Sequence, residues 1–231
     1  YEVEKMSKSL YNVQNPDDLV ERYGADTLRL YEMFLGPLEQ SKPWDTKGIE
    51  GVFRFMRKLW KLYHDKDNNL NISEEKPNKE EYKSLYKAVK KVKEDIERFS
   101  FNTSVSTFMI CVNELTDLKC NKRDILEPLA ILISPFAPHI SEELWSLLGH
   151  KETITFAQFP VIDESVLVEN SYTYPVSING KTRLTMEFPL DKTAKEIEEN
   201  VLSNSEVQRY MEGKPAKKVI FVPKKIINIV C

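Results

Sequence analysis

Residues 125–140 have the sequence ILEPLAILISPFAPHI, and this stretch decides the class of fold. The segment Ile125–Ser134 is apolar almost all round, which predicts a helix buried on every side rather than an amphipathic surface helix. Pro135 and Pro138 break and restart the chain after it. His139 follows without a partner motif, so we expect a structural hydrogen-bonding role rather than catalysis. A fully buried helix needs several neighbours, and a helical bundle provides them.

Three segments before this stretch supply those neighbours. Each repeats apolar residues at the three-and-four spacing of an amphipathic helix. The apolar sets are Ile49, Val52, Phe53, Met56, Leu59, Trp60 and Tyr63; Tyr82, Leu85, Tyr86, Val89, Val92, Ile96 and Phe99; and Val105, Phe108, Val112 and Leu115. Asn102 fits as the N-cap of the third helix, and a last helix runs to Leu148 and stops at Gly149. We therefore predict a helical-bundle domain over residues 15–150.

The chain opens with a polar segment, residues 1–14, that lacks this periodicity. Residues 5–9 (KMSKS) have the composition of a mobile loop, which taken alone is usually only solvated. Residues 15–18 (NPDD) predict an N-cap, a proline at the first helical position and two acids in the first turn. Gly24 ends this short helix, and a second helix is predicted over residues 25–35. Because the first residue is not Met, we expect a piece cut from a longer protein.

The apolar period changes from helical to alternating after residue 170. Apolar side chains occupy every second position at Tyr172, Tyr174, Val176 and Ile178, and again at Leu184, Met186 and Phe188, which predicts two strands. Between them, Asn179-Gly180 supply the positive φ angles of a type I′ turn. The elements expected next are a helix with a Thr193–Glu196 capping box, a short helical turn over Val207–Met211, and strands over Val219–Val222 and Ile226–Val230. The sequence therefore predicts a mainly α protein that ends in a small α+β domain, residues 171–231, joined by an irregular tether, residues 151–170.

Composition excludes several classes of protein. The chain has 231 residues, of which 41% are apolar and 30% charged, and only 7 glycines, which is ordinary for a soluble globular protein and argues against an all-β fold. The three cysteines form no Cys-x-x-Cys pair and have no histidine at zinc spacing, so we expect neither a disulfide framework nor a metal site. Cys111 fits as a small core residue. With no apolar run of membrane-spanning length and no signal peptide, we expect a cytoplasmic protein that contacts no membrane.

Two sets of cations stand out against a net charge of only −3. The first set is Arg54, Arg57, Lys58 and Lys61, which lie largely away from the apolar stripe of their helix. Such charges are usually a solvated face, although in an RNA-binding protein they could contact phosphates. The second set is Lys181, Arg183, Lys217, Lys218, Lys224 and Lys225. This set could form a phosphate-binding surface or could protect exposed edge strands from aggregation.

Several of these motifs, in this order, resemble one family. Residues 5–9, 15–18 and 22–29 (RYGADTLR) closely resemble the C-terminal part of a class I aminoacyl-tRNA synthetase. Four further motifs are similar to leucyl-tRNA synthetases of bacterial type: FLGP at 34–37, FNT at 101–103, SPFAPHI at 134–140 and VSINGK at 176–181. The resemblance covers essentially the whole chain.

The resemblance implies a function for each part. The bundle would be the anticodon-binding domain. Because leucyl enzymes are thought not to read the anticodon bases, the resemblance implies that the bundle contacts the backbone of tRNA(Leu), which is consistent with its lack of exposed aromatic platforms for stacking bases. Residues 171–231 would be the C-terminal domain near the tRNA corner, which favours the RNA-binding interpretation of the second set of cations. The parent enzyme would join leucine to tRNA(Leu) through leucyl-adenylate, as a cytoplasmic monomer that binds no DNA.

The same resemblance assigns the chemistry to the first loop. Lys5, Met6, Ser7, Lys8 and Ser9 would bind Mg-bound ATP. Lys5 and above all Lys8 would be catalytic, because their ammonium groups neutralise charge on the leaving pyrophosphate. Ser7 and Ser9 would shape the loop. The nucleotide-binding and editing domains of the family are absent from the sequence, so the chain alone is expected to be inactive in aminoacylation.

Other interpretations remain. The chain by itself is best described as an RNA-binding module, and a helical scaffold for protein partners would explain the bundle but not the loop or the lysine-rich end. Among synthetases, isoleucyl, valyl and methionyl enzymes are the rivals. No paired-cysteine zinc motif follows the bundle, which argues against the isoleucyl type, and no long charged heptad helix closes the chain, which argues against the valyl type.

Overall fold

A computed structural model describes residues 4–167 and 171–231 of the chain. The chain divides into two compact units, Tyr1–Leu167 and Val168–Cys231. The first is helical and the second combines helices with a sheet, which confirms the predicted fold class. The functional boundaries of the domains remain a prediction.

The helical unit is built from seven α-helices within its described residues. They are α1 Pro16–Tyr23, α2 Ala25–Phe34, α3 Thr46–Tyr63, α4 Lys79–Glu97, α5 Phe101–Asp117, α6 Arg123–Ile133 and α7 Pro138–Leu147. Helix α6 has buried side chains on most of its circumference, as its composition predicts. The hydroxyl of buried Tyr63 on α3 donates to the Leu126 carbonyl, 2.6 Å away, so α3 is bonded directly to this central helix.

Helix α2 is fastened to the turn between α6 and α7. The buried carboxylate of Asp26 accepts from the backbone N–H groups of His139 (3.3 Å) and Ile140 (2.7 Å), and lies 2.7 Å from His139 Nδ1. Arg29, one turn further along α2, donates to the carbonyls of Phe136 (3.3 Å) and Pro135 (3.1 Å). His139 therefore has the structural hydrogen-bonding role that the sequence predicts. Two motifs that are far apart in sequence, residues 22–29 and 134–140, contact each other here.

Two details of the helical unit differ from the sequence prediction. Asn102 is not an N-cap, because α5 begins at Phe101 and Ser100 occupies the capping position. The half-buried Phe101 ring packs edge-on against Phe136, with centroids 5.9 Å apart, which places this residue in the first helical turn. The surface is also less free of aromatic rings than expected, since Phe99 is 67% exposed and Phe156 80% exposed.

The stretch predicted as a tether contacts the helical unit along much of its length. Trp145 Nε1 donates to the Glu152 carbonyl at 2.9 Å, and Thr153 Oγ1 donates to Glu142 at 2.8 Å. Ile154 is buried in the helical core. The last residues of this stretch, 168–170, lie outside the described residues.

The small unit is a four-stranded sheet with two helices. Its elements are β1 Ser171–Ile178, β2 Lys181–Pro189, α8 Ala194–Ser203, α9 Ser205–Met211, β3 Lys218–Val222 and β4 Ile226–Val230. The strand order is β2-β1-β4-β3, with β1 and β4 parallel and both edge strands antiparallel to their neighbours. Apolar side chains of α8 and α9 share one buried cluster with β1 and β4.

The turn and cap that the sequence predicts in this unit are present. Asn179 (φ 49°) and Gly180 (φ 80°) form the β1–β2 turn, where a positive φ favours glycine. The Thr193 hydroxyl and the Glu196 carboxylate form a capping box at the start of α8.

Candidate nucleotide and nucleic-acid sites

The loop of residues 5–9 is organised by an asparagine outside the motif. Asn12 Oδ1 accepts from the Ser7 backbone N–H at 2.8 Å, and its Nδ2 donates to the Lys5 carbonyl at 3.3 Å. The Ser7 and Ser9 hydroxyls are 3.1 Å apart, and a 3₁₀ turn covers Lys8–Leu10. Lys5 and Lys8 are both exposed. The loop thus presents two ammonium groups on a turn whose backbone is tied down, and Asn12 is a residue that sequence analysis missed.

The six cations of the small unit divide between two ends of the sheet. Lys181 pairs with Ile178, and Lys218 pairs with Val230, so both lie where β1 and β4 end. Lys217 is next to Lys218, and its backbone N–H donates to the Val230 carbonyl at 2.8 Å. Arg183 lies beside Lys181 on β2. We call these four residues the upper group.

Lys224 and Lys225 lie in the β3–β4 turn at the opposite end of the sheet. The Lys224 backbone N–H donates to the hydroxyl of buried Tyr174 at 3.2 Å, so this turn is level with the middle of β1. Ile178 lies four positions after Tyr174 on β1, which corresponds to about 13 Å along the strand. These lysines are close to Lys217 and Lys218 in sequence, but β3 separates the two pairs and places them at opposite ends of the β3–β4 hairpin. We call them the lower group.

Arg183 also has a partner within the unit. It occupies the irregular position where the β1–β2 register shifts, between Thr182 and Leu184. Its guanidinium carbon lies 5.6 Å from the centre of the Tyr210 ring on α9. This cation–π contact gives Arg183 a structural role that Lys181 does not share. Since β2 and β3 are edge strands, the protection of edges by these cations stays open as an alternative.

The largest cavity described in the helical unit lies between α2, α3 and the start of α7. Its volume is about 1010 Å³, and Asp26, Arg57, Trp60, Lys61 and His139 are among its lining residues. The Trp60 ring stacks on His64 at 4.0 Å, and its Nε1 donates to Asn68 Oδ1 at 2.8 Å. The cavity therefore has an aromatic wall beside cationic side chains.

The thiols have the properties of core residues. Burial raises the pKa of Cys111 and of Cys120 to about 12, so both thiols are protonated at neutral pH. Across residues 4–167 and 171–231, no three His, Cys, Asp or Glu side chains are grouped as a metal site would require. In the same residues no helix has the length and apolar character needed to cross a membrane.

Comparison with known proteins defines the class first. The family profile described as the anticodon-binding domain of tRNA ligase matches residues 78–199, more than half of the chain. The profile of class I tRNA synthetases (I, L, M and V) matches residues 2–45, which include the loop held by Asn12. The chain therefore has the anticodon-binding domain of a tRNA ligase, preceded by a segment that matches class I tRNA synthetases.

The relatives identify the type. A leucine–tRNA ligase of Cytophaga hutchinsonii is 62% identical over 229 residues, which are 99% of this chain and 25% of that protein. The enzyme of Flavobacterium johnsoniae is also 62% identical, over 99% of this chain and 24% of its own length. The chain belongs to the leucine–tRNA ligase family, and it spans about a quarter of the length of these relatives.

A solved structure supports the same family. The agnB2 LeuRS of Agrobacterium radiobacter K84, in a ternary complex with tRNA and LeuAMS, is 32% identical, with a TM-score of 0.71. The match covers 98% of this chain and 31% of that one.

Proposed function

We propose that this chain is the tRNA-binding part of an enzyme that uses ATP to join leucine to tRNA(Leu) through leucyl-adenylate. The observation that carries the proposal is the 62% identity over 99% of the chain with a leucine–tRNA ligase. The class I match at residues 2–45 supports the view that residues 5–9 are the loop that approaches ATP. By itself, the chain is expected not to aminoacylate tRNA.

The proposed role of the loop is electrostatic. The leucine carboxylate attacks the α-phosphorus of Mg-bound ATP, a new bond to that phosphorus forms, and the bond to the pyrophosphate oxygen breaks. Negative charge grows on the leaving pyrophosphate, where the ammonium groups of Lys5 and Lys8 would neutralise it. The Asn12 hydrogen bonds support this role, because they favour a backbone arrangement that presents both cations on one turn.

The experiment that tests the proposal is leucine-dependent exchange of pyrophosphate into ATP by the longer enzyme. Wild-type protein should show exchange with leucine and not with isoleucine or methionine. Lys8→Ala should lower the exchange rate about 10²–10³-fold, the cost of losing one preorganised transition-state contact. Lys47→Ala, an exposed lysine in the first turn of α3, is the matched control. Exchange that is unchanged in Lys8→Ala would contradict the role of the loop.

The proposed partner of the small unit is tRNA, and the division of its cations sharpens the test. One variant removes Lys181, Lys217 and Lys218 from the upper group, and a second removes Lys224 and Lys225. If the upper group binds phosphates, the first variant should flatten the dependence of log affinity on log salt by about one unit per lost contact. Arg183 is retained because it contacts Tyr210. If both variants kept their tRNA affinity but aggregated more, these lysines would protect edge strands and would not bind RNA.

A further inference from the structure

Four cations form a row along one side of α3. Arg54, Arg57, Lys58 and Lys61 follow the spacing i, i+3, i+4 and i+7, which places them on one face of the helix. The row is about 10 Å long at the rise of an α-helix. These four side chains line a shallow cavity of about 290 Å³. They therefore share one concave surface instead of pointing separately into solvent.

The row differs in charge balance from an ordinary solvated helix face. Helix α3 has five basic residues and one acidic residue, whereas α4 has six basic and five acidic. On α4, Lys91 pairs with Asp95 one turn away, and Lys90 pairs with Glu164 at 3.3 Å. The single acid of α3, Glu50, lies 4.0 Å from Arg22 and outside the row. A charged face that only keeps a helix soluble mixes both signs, as α4 does.

The cations of the row lack acidic partners within the described part of the chain. The polar contact of Lys58 is with the neutral amide of Asn113, where Nζ and Oδ1 are 2.6 Å apart. Like charges at i, i+3 and i, i+4 repel each other and weaken a helix. An uncompensated row of this kind attracts a polyanion strongly, because binding relieves the repulsion.

The row is carried by a rigid element. The opposite face of α3 is buried in the helical core through Ile49, Val52, Leu59 and Tyr63. Arg57 and Lys61 also line the 1010 Å³ cavity, next to the stacked pair of Trp60 and His64. Arg57 and Lys61 therefore belong to both surfaces, and α3 carries the positive charge from the row into that cavity.

We propose that Arg54, Arg57, Lys58 and Lys61 bind the phosphate backbone of RNA. The proposal rests on the proposed function for its partner, since tRNA is the polyanion that function supplies. Arginine and lysine side chains are donors without acceptor atoms, and a row of them on a helix matches phosphate oxygens rather than the mixed edges of bases. Binding at this row is therefore independent of base sequence.

The test uses the 231-residue chain and two probes, a tRNA(Leu) transcript and an unrelated RNA duplex. Arg54, Arg57, Lys58 and Lys61 are replaced together by Gln. The control replaces Lys76, Lys79, Lys93 and Lys119 by Gln, which removes the same charge from exposed positions elsewhere on the helical unit. Affinity is measured by fluorescence anisotropy across a salt series.

The row variant should weaken binding of tRNA on the order of 10–100-fold near 0.15 M salt and reduce the salt slope by about three units. The control should change both quantities far less. The duplex should be affected as strongly as tRNA, because phosphates and not bases are contacted. Equal losses in the two variants, or wild-type affinity in the row variant, would overturn the proposal.

A second measurement covers the case in which the row variant does not fold. In the wild-type chain, bound tRNA should protect Lys58 and Lys61 from acetylation and leave Lys79 and Lys93 reactive. Unprotected Lys58 and Lys61 under saturating tRNA would also overturn the proposal. The two failures can be told apart: a longer wild-type enzyme that fails to activate leucine contradicts the proposed function alone, whereas RNA binding is measured on the chain directly.

Discussion

The helical unit and the small unit differ in the hydrogen bonds that join segments distant in sequence. A helix satisfies its backbone hydrogen bonds internally, so polar bonds between helices must come from side chains. Asp26, Arg29 and Tyr63 make such bonds to the segment around α6 and α7, between 63 and 114 residues away in sequence. In the small unit the backbone ladder itself joins β1 to β2 and to β4.

This difference determines where each unit is vulnerable. One side chain can carry the link between two helices, so a single substitution in the helical unit can leave several buried backbone groups without partners. In the sheet the link is shared by many backbone bonds, which substitutions other than proline leave in place, and side chains mainly set turns and caps. The three tryptophans, Trp44, Trp60 and Trp145, all lie in the helical unit, so their fluorescence reports its unfolding alone.

The largest effect is expected at Asp26. Asp26→Ala should lower the free energy of unfolding of the helical unit by about 3 kcal/mol, because two N–H groups at the start of α7 and the His139 ring lose their acceptor. Urea unfolding followed by tryptophan fluorescence measures this change. Asp17→Ala, which removes an exposed carboxylate from the first turn of α1, should cost less than about 1 kcal/mol. Equal effects of the two substitutions would show that α2 is not held by this carboxylate.

A smaller effect is expected where Gly48 of α3 faces Tyr31 of α2. A Cβ atom added at Gly48 would lie 2.8 Å from the hydroxyl oxygen of Tyr31, whose ring is buried and cannot withdraw. Gly48→Ala should therefore destabilise the helical unit by about 2 kcal/mol. At Gly51 the nearest atom is the flexible end of Arg54, 3.9 Å away, so Gly51→Ala should stabilise α3 by about 0.5–1 kcal/mol. If this contact is as close as described, the two substitutions should change the free energy of unfolding in opposite directions.

The smallest effect is expected in the small unit. Thr193→Ala removes the side-chain acceptor of the Glu196 N–H and should cost about 1 kcal/mol. Hydrogen exchange of residues 171–231 should become faster, while the tryptophan-detected transition of the helical unit stays unchanged. Ser205→Ala, an exposed position at the start of α9, is the control. A shift of the tryptophan signal in Thr193→Ala would show that the two units do not unfold separately.

Much of the local structure follows from short stretches of sequence. The NPDD start of α1, the Asn179-Gly180 turn and the Thr193–Glu196 cap each act within about four residues, so the sequence alone determines them. The buried character of α6 is similarly explicit in its composition. The KMSKS loop and the order of the motifs were also sufficient to indicate the family that the comparisons confirm.

The tertiary structure alone decided which distant residues meet. Asp26 and His139 belong to two separate motifs, and neither pattern indicates that one contacts the other. Asn12 holds the loop through a side chain outside its motif, and the β3–β4 hairpin separates Lys217 and Lys218 from Lys224 and Lys225. The row on α3 has the spacing of any exposed helix face, and its sequence shows only that acids are scarce on this helix. Packing shows in addition that no acid from another described element pairs with the row, because charge balance also depends on neighbours in space.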